Sequence, residues 1–235
     1  MASADEMKRL AAAEAVKHVQ SGMTLGIGTG STAAHFIDML GEKVRAGVSV
    51  RGVPTSEDTR RKCEAAGVAM IEPDETTAID LAVDGTDEVD ARLNLIKGGG
   101  GALLREKIVA GAARRFIVIA DASKKVAELG RFALPVEIDR FSYGLTVRRV
   151  REAIAAEGLK GELALRHDCE GRAFLSDGGN LILDCALGRI HEPARLEAAL
   201  KAIPGVVETG LFLGMADLVI LAGAAGIETL ERGLR

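Results

Sequence analysis

Within residues 84–106 the chain concentrates side chains able to move protons and hold an anion. The segment reads D-G-T-D-E-V-D, a short apolar run, then K-G-G-G-G-A-L-L-R-E-K. Asp84, Asp87 and Glu88 form a tight acid cluster, Lys97 supplies a cation, and four consecutive glycines leave backbone N–H groups with no side chains before them. Glu106 follows as a lone acid inside the next helix. A positioned carboxylate can take a proton from carbon or oxygen, and a fixed donor such as lysine can hold the negative charge that develops. Bare amides at a helix start bind anions. Together these are parts for holding a phosphorylated polyol and moving a proton on it. Each also has a plainer reading. Glu106 falls where a helix dipole favours an acid, Lys97 could be a solvated strand end, and residues 84–90 could be a capped turn. An EF-hand calcium loop fits poorly, because Val89 takes the position where that loop needs glycine.

Two other stretches could complete such a site. The apolar run 24–27 leads into Gly28-Thr29-Gly30-Ser31-Thr32, and Ala33, Phe36, Ile37 and Leu40 then follow at helical spacing. Strand, glycine-hydroxyl loop and helix make an anion site. A dinucleotide is a poor fit. Ser31 stands where the third fingerprint glycine belongs, and the next strand, 48–53, ends in Pro54-Thr55-Ser56 where a ribose-binding acid is required. No G-K-[ST] follows, so the loop is not of Walker type. The second stretch is Asp121-Ala122-Ser123-Lys124, which comes directly after the apolar run 116–120.

The elements that must position these residues alternate. Ser3 and Glu6 read as a capping box opening a helix that ends by Gly22. The second helix closes at Gly41, and a third runs from the cap Ser56 to Gly67. Strands are expected at 68–71, 79–83, 93–96 and 116–120, with a helix at 102–113 that sets Glu106 one turn inside its N-terminus. Alternation of this kind predicts an α/β fold, a Rossmann-like and mostly parallel sheet covered on both faces. Ligands of such sheets sit at the carboxyl ends of the strands, and Thr29, Asp84, Lys97 and Lys124 each lie just past a predicted strand. From about Arg131 the pattern changes to strand, helix, three strands (162–166, 173–176 and 181–185), helix, strand. That order predicts an inserted ferredoxin-like α+β domain over 131–212, with few clustered polar groups and no chemistry of its own. A strand at 218–222 and a last helix then return to the first domain, which comprises 1–130 and 213–235.

Composition narrows the classes. The chain has 235 residues, of which 48% are hydrophobic, enough for a substantial core. A net charge of -4 and the absence of tryptophan argue against nucleic acid and membrane surfaces as partners. Cys63, Cys169 and Cys185 are scattered and odd in number, and His18, His35, His167 and His191 show no ligand spacing, so no metal site is expected. Residues 1–20 carry acids where a signal peptide needs an apolar run, and no apolar segment approaches the ~18 residues of a membrane span. A soluble, cytoplasmic protein is expected.

Five motifs taken together resemble one family. G-I-G-T-G-S-T-A (26–33), V-D-G-T-D-E (83–88), I-K-G-G-G-G-A-L-L-R-E-K (96–107), I-A-D-A-S-K (119–124) and A-I-P-G-V-V-E-T-G-L-F (202–212) look like type A ribose-5-phosphate isomerase, in family order over nearly the whole chain. The resemblance implies interconversion of ribose 5-phosphate and ribulose 5-phosphate in the non-oxidative pentose phosphate pathway, with neither metal nor organic cofactor. It also implies a homo-oligomer, commonly a dimer, with a tetramer as the alternative. By motif position Glu106 would be the general base, with Asp84, Asp87 and Lys97 as its partners. Thr29, Gly30, Ser31, Thr32, Asp84, Gly85, Thr86, Asp87, Lys97, Gly98, Gly99, Gly100 and Lys124 would contact substrate. Thr86 departs from a frequent alanine, and Phe141-Ser142-Tyr143 is less typical. Two rivals use similar parts. A sugar-phosphate sensor would need a DNA-reading domain, for which the first helix leaves no room. A coenzyme A transferase would use Glu106 as nucleophile, in a site that Lys97 and Lys124 crowd with positive charge.

Overall fold

The computed structural model describes residues 3–233. Helix α1 (Ala4–Ala15) opens on the expected capping box, with Ser3 Oγ accepting from the Glu6 N–H at 3.1 Å and the Glu6 carboxylate accepting from the Ser3 N–H at 2.6 Å. The chain continues through β1 (Thr24–Ile27), α2 (Ser31–Arg45), β2 (Arg51–Pro54), α3 (Glu57–Ala65), β3 (Ala69–Met70) and β4 (Leu81–Gly85). Then come β5 (Glu88–Val89), β6 (Leu95–Ile96), α4 (Leu103–Ala112) and β7 (Phe116–Asp121). The order β8 (Leu134–Ile138), α5 (Tyr143–Ala156), β9 (Glu162–Leu165), β10 (Leu181–Ala186), α6 (Pro193–Lys201), β11 (Val206–Thr209) follows, and β12 (Leu211–Phe212), β13 (Leu218–Gly223) and β14 (Gly226–Glu231) end it.

Seven strands form the main sheet in the order β14-β13-β7-β4-β1-β2-β3, with every pair parallel except β13 with β14. From β1 the chain moves to one side through β2 and β3, then returns to β4 and continues to the other side through β7 and β13. The β1/β4 junction is therefore the topological switch point, where two adjacent loops diverge and leave a crevice. Apolar residues on both faces of each central strand explain their unbroken hydrophobic runs. Ile117, Ile119, Leu218 and Ile220 pack under α1 and α2 with Phe36 and Leu40, while Val118, Ala120, Val219 and Leu221 face the other way with Phe116 and Phe212.

The four-stranded antiparallel sheet has the order β11-β8-β10-β9 and the βαββαβ sequence of a ferredoxin-like unit. Leu134, Val136, Ile138, Leu183 and Cys185 meet α5 and α6 in a separate core. No helix among the described residues is long and apolar enough to cross a membrane.

Several local expectations are corrected. Helix α2 runs through Gly41 to Arg45, because Gly41 is buried against α3, where a β-carbon would stand 2.9 Å from both the Cβ and the carbonyl oxygen of Ala66. Its glycine marks a close helix approach and not a helix end. The segment 173–176 forms only isolated bridges, His167 with Ala173 and Leu175 with Leu181. The last element is the strand β14 and not a helix, since a turn at 224–225 folds it back on β13 in full register. Finally, β6 lies outside the parallel sheet, in a small antiparallel sheet of order β12-β6-β5.

One buried acid ties these pieces together. Glu88 is 0% exposed and accepts from the Gly130 and Phe132 N–H groups, both at 2.7 Å, where the chain leaves the parallel sheet for the ferredoxin-like unit. Removing it strands two backbone donors. Glu88→Ala should lower unfolding free energy by about 2–6 kcal/mol in urea denaturation, the sum of two such losses. A change within experimental error would refute that anchoring role.

Candidate active site

Loops leaving β1, β4 and β6 converge with the start of α4 on a cavity of about 290 Å³. Its wall includes Thr29, Gly30, Ser31, Thr32, Gly85, Thr86, Asp87, Lys97, Gly98, Gly99, Gly100, Glu106 and Lys124. Of the residues expected to act on or contact substrate, Asp84 alone is absent from that wall, and it stands directly behind it, 2.9 Å from the Lys97 ammonium. Asp84 is within β4 and not past its end, while Lys97 is carried by the small antiparallel sheet. Residues far apart in the chain thus reach one site from two different sheets.

A buried ammonium is at its centre. Lys97, 2% exposed, lies 2.9 Å from Asp84 Oδ2, donates to the Gly85 carbonyl at 2.6 Å, and stands 3.4 Å from Glu106 Oε2. Phe212 covers it, with the ammonium 5.5 Å from the ring centre. The other Asp84 oxygen accepts from the N–H groups of Thr29 at 3.2 Å and Gly85 at 2.7 Å. Gly28 makes this contact possible, since a β-carbon there would fall 2.0 Å from Asp84 Oδ1.

Glu106 is held differently. It lies in the first turn of α4, 4% exposed, and its Oε2 has no hydrogen-bond partner among the described residues. The 3.4 Å approach of Lys97 is close enough for charge attraction but not aligned as a hydrogen bond. Burial pushes the Glu106 carboxyl up to about 8, the charge of Asp84 adds to the rise, and Lys97 opposes it. Burial also raises Asp84, against the pull of Lys97. Desolvation alone would lower Lys97, but Asp84 and Glu106 more than offset it and the ammonium is held above its ordinary value. Two carboxylates share one buried cation, so the less tightly bonded one keeps its proton most readily.

The remaining groups divide by environment. Asp87 is half-buried, and one of its oxygens accepts from the Gly99 N–H at 2.8 Å. Thr29 faces a hydroxyl cluster: its Oγ1 is 2.8 Å from Thr55 Oγ1, 2.9 Å from Ser56 Oγ and 3.0 Å from Thr59 Oγ1. Thr59 in turn donates to the Gly28 carbonyl at 2.9 Å. These bonds fix the 28–32 loop and leave its backbone turned to the cavity. Asp121 accepts from the Ser123 N–H at 3.0 Å, which shapes the turn carrying Lys124. Among the described residues Lys124 has no carboxylate partner within ion-pair range. No group of three or more His, Cys, Asp or Glu side chains among the described residues could hold a metal ion.

Sequence reasoning missed three contributors. Lys8 of α1 reaches the cavity wall and donates to Ser31 Oγ at 3.0 Å; nothing in its local sequence separates it from a solvated helix lysine. The hydroxyls of Thr55, Ser56 and Thr59 were legible only as a helix cap. Arg166, from the ferredoxin-like unit, donates to the carbonyls of Gly98 at 2.8 Å and Gly99 at 3.0 Å.

The description ribose 5-phosphate isomerase A (phosphoriboisomerase A) belongs to the family model that matches residues 51–226. Ribose-5-phosphate isomerase A of Rhodopseudomonas palustris (strain BisB18) is 56% identical over 230 residues, covering 98% of this chain and 99% of that relative. The solved ribose 5-phosphate isomerase from Plasmodium falciparum superposes with a TM-score of 0.93 at 34% identity, over 98% of this chain and 100% of that one. A D-ribose-5-phosphate isomerase solved in complex with phospho-erythronic acid gives 0.91 at 39% identity, over 98% and 100% of the two chains. The fold is thus that of an aldose–ketose isomerase. More narrowly, the chain belongs to the ribose 5-phosphate isomerase A family.

The raised Glu106 acid has a consequence for stability. Its folded value of about 8 exceeds its ordinary 4.5, so the stabilisation is complete below about 4.5 and is lost as pH rises to about 8. Glu106→Gln cannot ionise. Its melting temperature minus that of the wild type should therefore climb between those two pH values and level off above. A difference independent of pH would show that Glu106 is not raised.

Proposed function

We propose that this chain interconverts D-ribose 5-phosphate and D-ribulose 5-phosphate through an enediolate, with Glu106 as the carbon base and without metal or organic cofactor. The observation that carries the roles is the buried, unpartnered Glu106 Oε2 beside the Lys97 ammonium, in a cavity also lined by Lys8 and Lys124. Aldose-to-ketose conversion removes the proton on C2, returns one to C1, and moves one between O1 and O2. A single carboxylate within reach of both carbons can carry the first proton out and back. Burial suits Glu106 to this, since a base with a value near 8 binds the proton more strongly than a solvated carboxylate.

The negative oxygen of the enediolate needs donors fixed in advance. Lys97 and the amides of the glycine loop fill that role. Asp84 has both oxygens occupied by Lys97 and backbone N–H groups, so it serves chiefly to hold Lys97 and the 28–32 loop. Asp87 lines the cavity and has an oxygen to spare, which suits it to exchange hydroxyl protons, including the one released on ring opening. The phosphate rests on Lys124, Lys8 and the backbone of residues 30–32 at the start of α2, where dipole and free amides favour an anion. Thr29, Gly30, Ser31, Thr32, Gly85, Thr86, Gly98, Gly99 and Gly100 shape the remaining substrate contacts. Phospho-erythronic acid, bound in the solved relative, is a phosphorylated acid whose carboxylate imitates the two-oxygen end of an enediolate. This fits the same reading.

The family resemblance also supports a cytoplasmic homodimer, a homotetramer being the alternative, that works in the non-oxidative pentose phosphate pathway. Separate cores support a division into a catalytic domain, 1–130 with 213–235, and an inserted domain, 131–212.

Purified protein treated with chelator should convert ribose 5-phosphate to ribulose 5-phosphate; activity lost on chelation would overturn the metal-free reading. Glu106→Gln should lower kcat by about 100-fold or more while KM stays within about threefold, the range for loss of a general base. Near-normal turnover would overturn the base assignment. For the wild type, kcat/KM should rise with pH and level off above about 8, because the free enzyme must first release the Glu106 proton. Lys124→Ala should raise KM about tenfold or more, through the lost charge-assisted bond. An unchanged KM would remove Lys124 from the phosphate site.

A further inference from the structure

The tetraglycine loop is braced by a side chain from the ferredoxin-like unit. Arg166 directly follows β9, and its backbone N–H bonds to the Ile182 carbonyl at 2.8 Å. Along β9 and β10 the leucines 163, 165, 181 and 183 pack towards the helices, so Ala164, Arg166, Ile182 and Asp184 share the opposite face. There the guanidinium forms a two-pronged pair with Asp184, Nε to Oδ2 at 2.9 Å and Nη2 to Oδ1 at 2.5 Å. With two of its nitrogens fixed, Nη1 is left to bridge the carbonyls of Gly98 and Gly99. The ring of Phe174 stacks against the same guanidinium at 5.9 Å, and the Arg166 side chain is only 14% exposed.

A trans peptide sends its C=O and N–H in opposite directions. Holding the Gly98 carbonyl therefore turns the Gly99 N–H away from Arg166, and that N–H is the one that donates to Asp87 Oδ2 at 2.8 Å. Holding the Gly99 carbonyl does the same for the Gly100 N–H, which has no hydrogen-bond partner among the described residues and belongs to a residue lining the cavity. Glycine itself imposes little preference among such peptide orientations. The Gly98 carbonyl also accepts from the Gly101 N–H at 3.0 Å, so the first plane has two supports, whereas among the described residues Arg166 is the Gly99 carbonyl's hydrogen-bond partner and sets the second.

We infer that Arg166, locked by Asp184, is a positioning residue for the reaction: it aims the Gly100 amide into the cavity as a donor to the enediolate oxygen and holds Asp87 through the Gly99 amide. The inference rests on the isomerase reading above. It assigns to the ferredoxin-like unit a direct part in turnover that its sequence did not suggest. Arginine is required, since lysine cannot pair with a carboxylate by two parallel bonds and reach two carbonyls together.

The test uses the full chain. Arg166→Met keeps bulk and removes the fork. Its kcat should fall about 10- to 100-fold, as small misplacements of catalytic groups do, while KM for ribose 5-phosphate stays within about threefold. Inhibition by phospho-erythronic acid should weaken in parallel with kcat, whereas competitive inhibition by inorganic phosphate should stay within about twofold, because the amide acts on the enediolate end and not on the phosphate. Asp184→Asn leaves Arg166 in place but loosens its grip, and should show a smaller loss of the same kind. It provides the same comparison if Arg166→Met does not fold. Wild-type kcat per folded molecule in whichever variant folds, even with a lowered melting temperature, would reduce the pair to a structural one and overturn the inference. Equal weakening of both inhibitors would overturn it too. If the wild type itself failed to turn over ribose 5-phosphate, the isomerase reading would fall instead, so the two failures are distinguishable.

Discussion

The structure depends on one buried ammonium between two carboxylates. Lys97 is almost without solvent, as are Asp84 and Glu106, and an unpaired charge in that setting would cost several kcal/mol. Three groups together carry one net negative charge too many, which leaves Glu106 pulled towards its neutral form. Asymmetry in their bonding decides which acid yields. Asp84 takes the direct contact with Lys97 and two backbone amides, and Glu106 keeps an oxygen that nothing bonds. A carboxyl of raised proton affinity thereby sits next to a fixed cation, the arrangement that the proposed proton transfer needs.

Holding that triad takes strands from two sheets. Asp84 comes from the parallel sheet and Lys97 from the small antiparallel one, where the Lys97 N–H bonds to the Gly210 carbonyl at 2.9 Å. Glu88 secures the crossing into the ferredoxin-like unit, and that unit returns Arg166 to the glycine loop. The insertion therefore braces the glycine loop that forms one wall of the cavity. Gly28 lets Asp84 close against the first loop, at a distance no side chain would allow.

Much of this was legible in the sequence because motifs and strand ends coincide. The loops after β1 and β7 and the acid cluster at β4 announced the switch-point crevice, and the inserted unit was readable from its strand and helix order. Where the reading failed, the deciding contacts were distant in sequence. Gly41 looks like a helix end until Ala66 of another helix is seen against it. The last segment was expected to be a helix; the turn at 224–225 carries none of the strongest hairpin residues, and pairing with β13 makes the segment a strand. Lys8 and Arg166 are ordinary surface-type residues in their own segments. Only the packing of α1 on α2, and of one domain's open sheet face on the other's loop, brings them to the site. The acids could be named from sequence and motif position set Glu106 apart, but spacing carries no information about which oxygen is left unbonded.

The proposed role of Glu106 as base requires that burial beside Asp84 raise its proton affinity. A 13C NMR titration of protein labelled at glutamate side-chain carboxyls, with Glu106→Gln identifying the resonance, reads that affinity at the carboxyl itself. One carboxyl should titrate near 8 in the wild type and be missing from the variant. A Glu106 resonance titrating near its ordinary 4.5 would mean that burial leaves this carboxyl an ordinary acid.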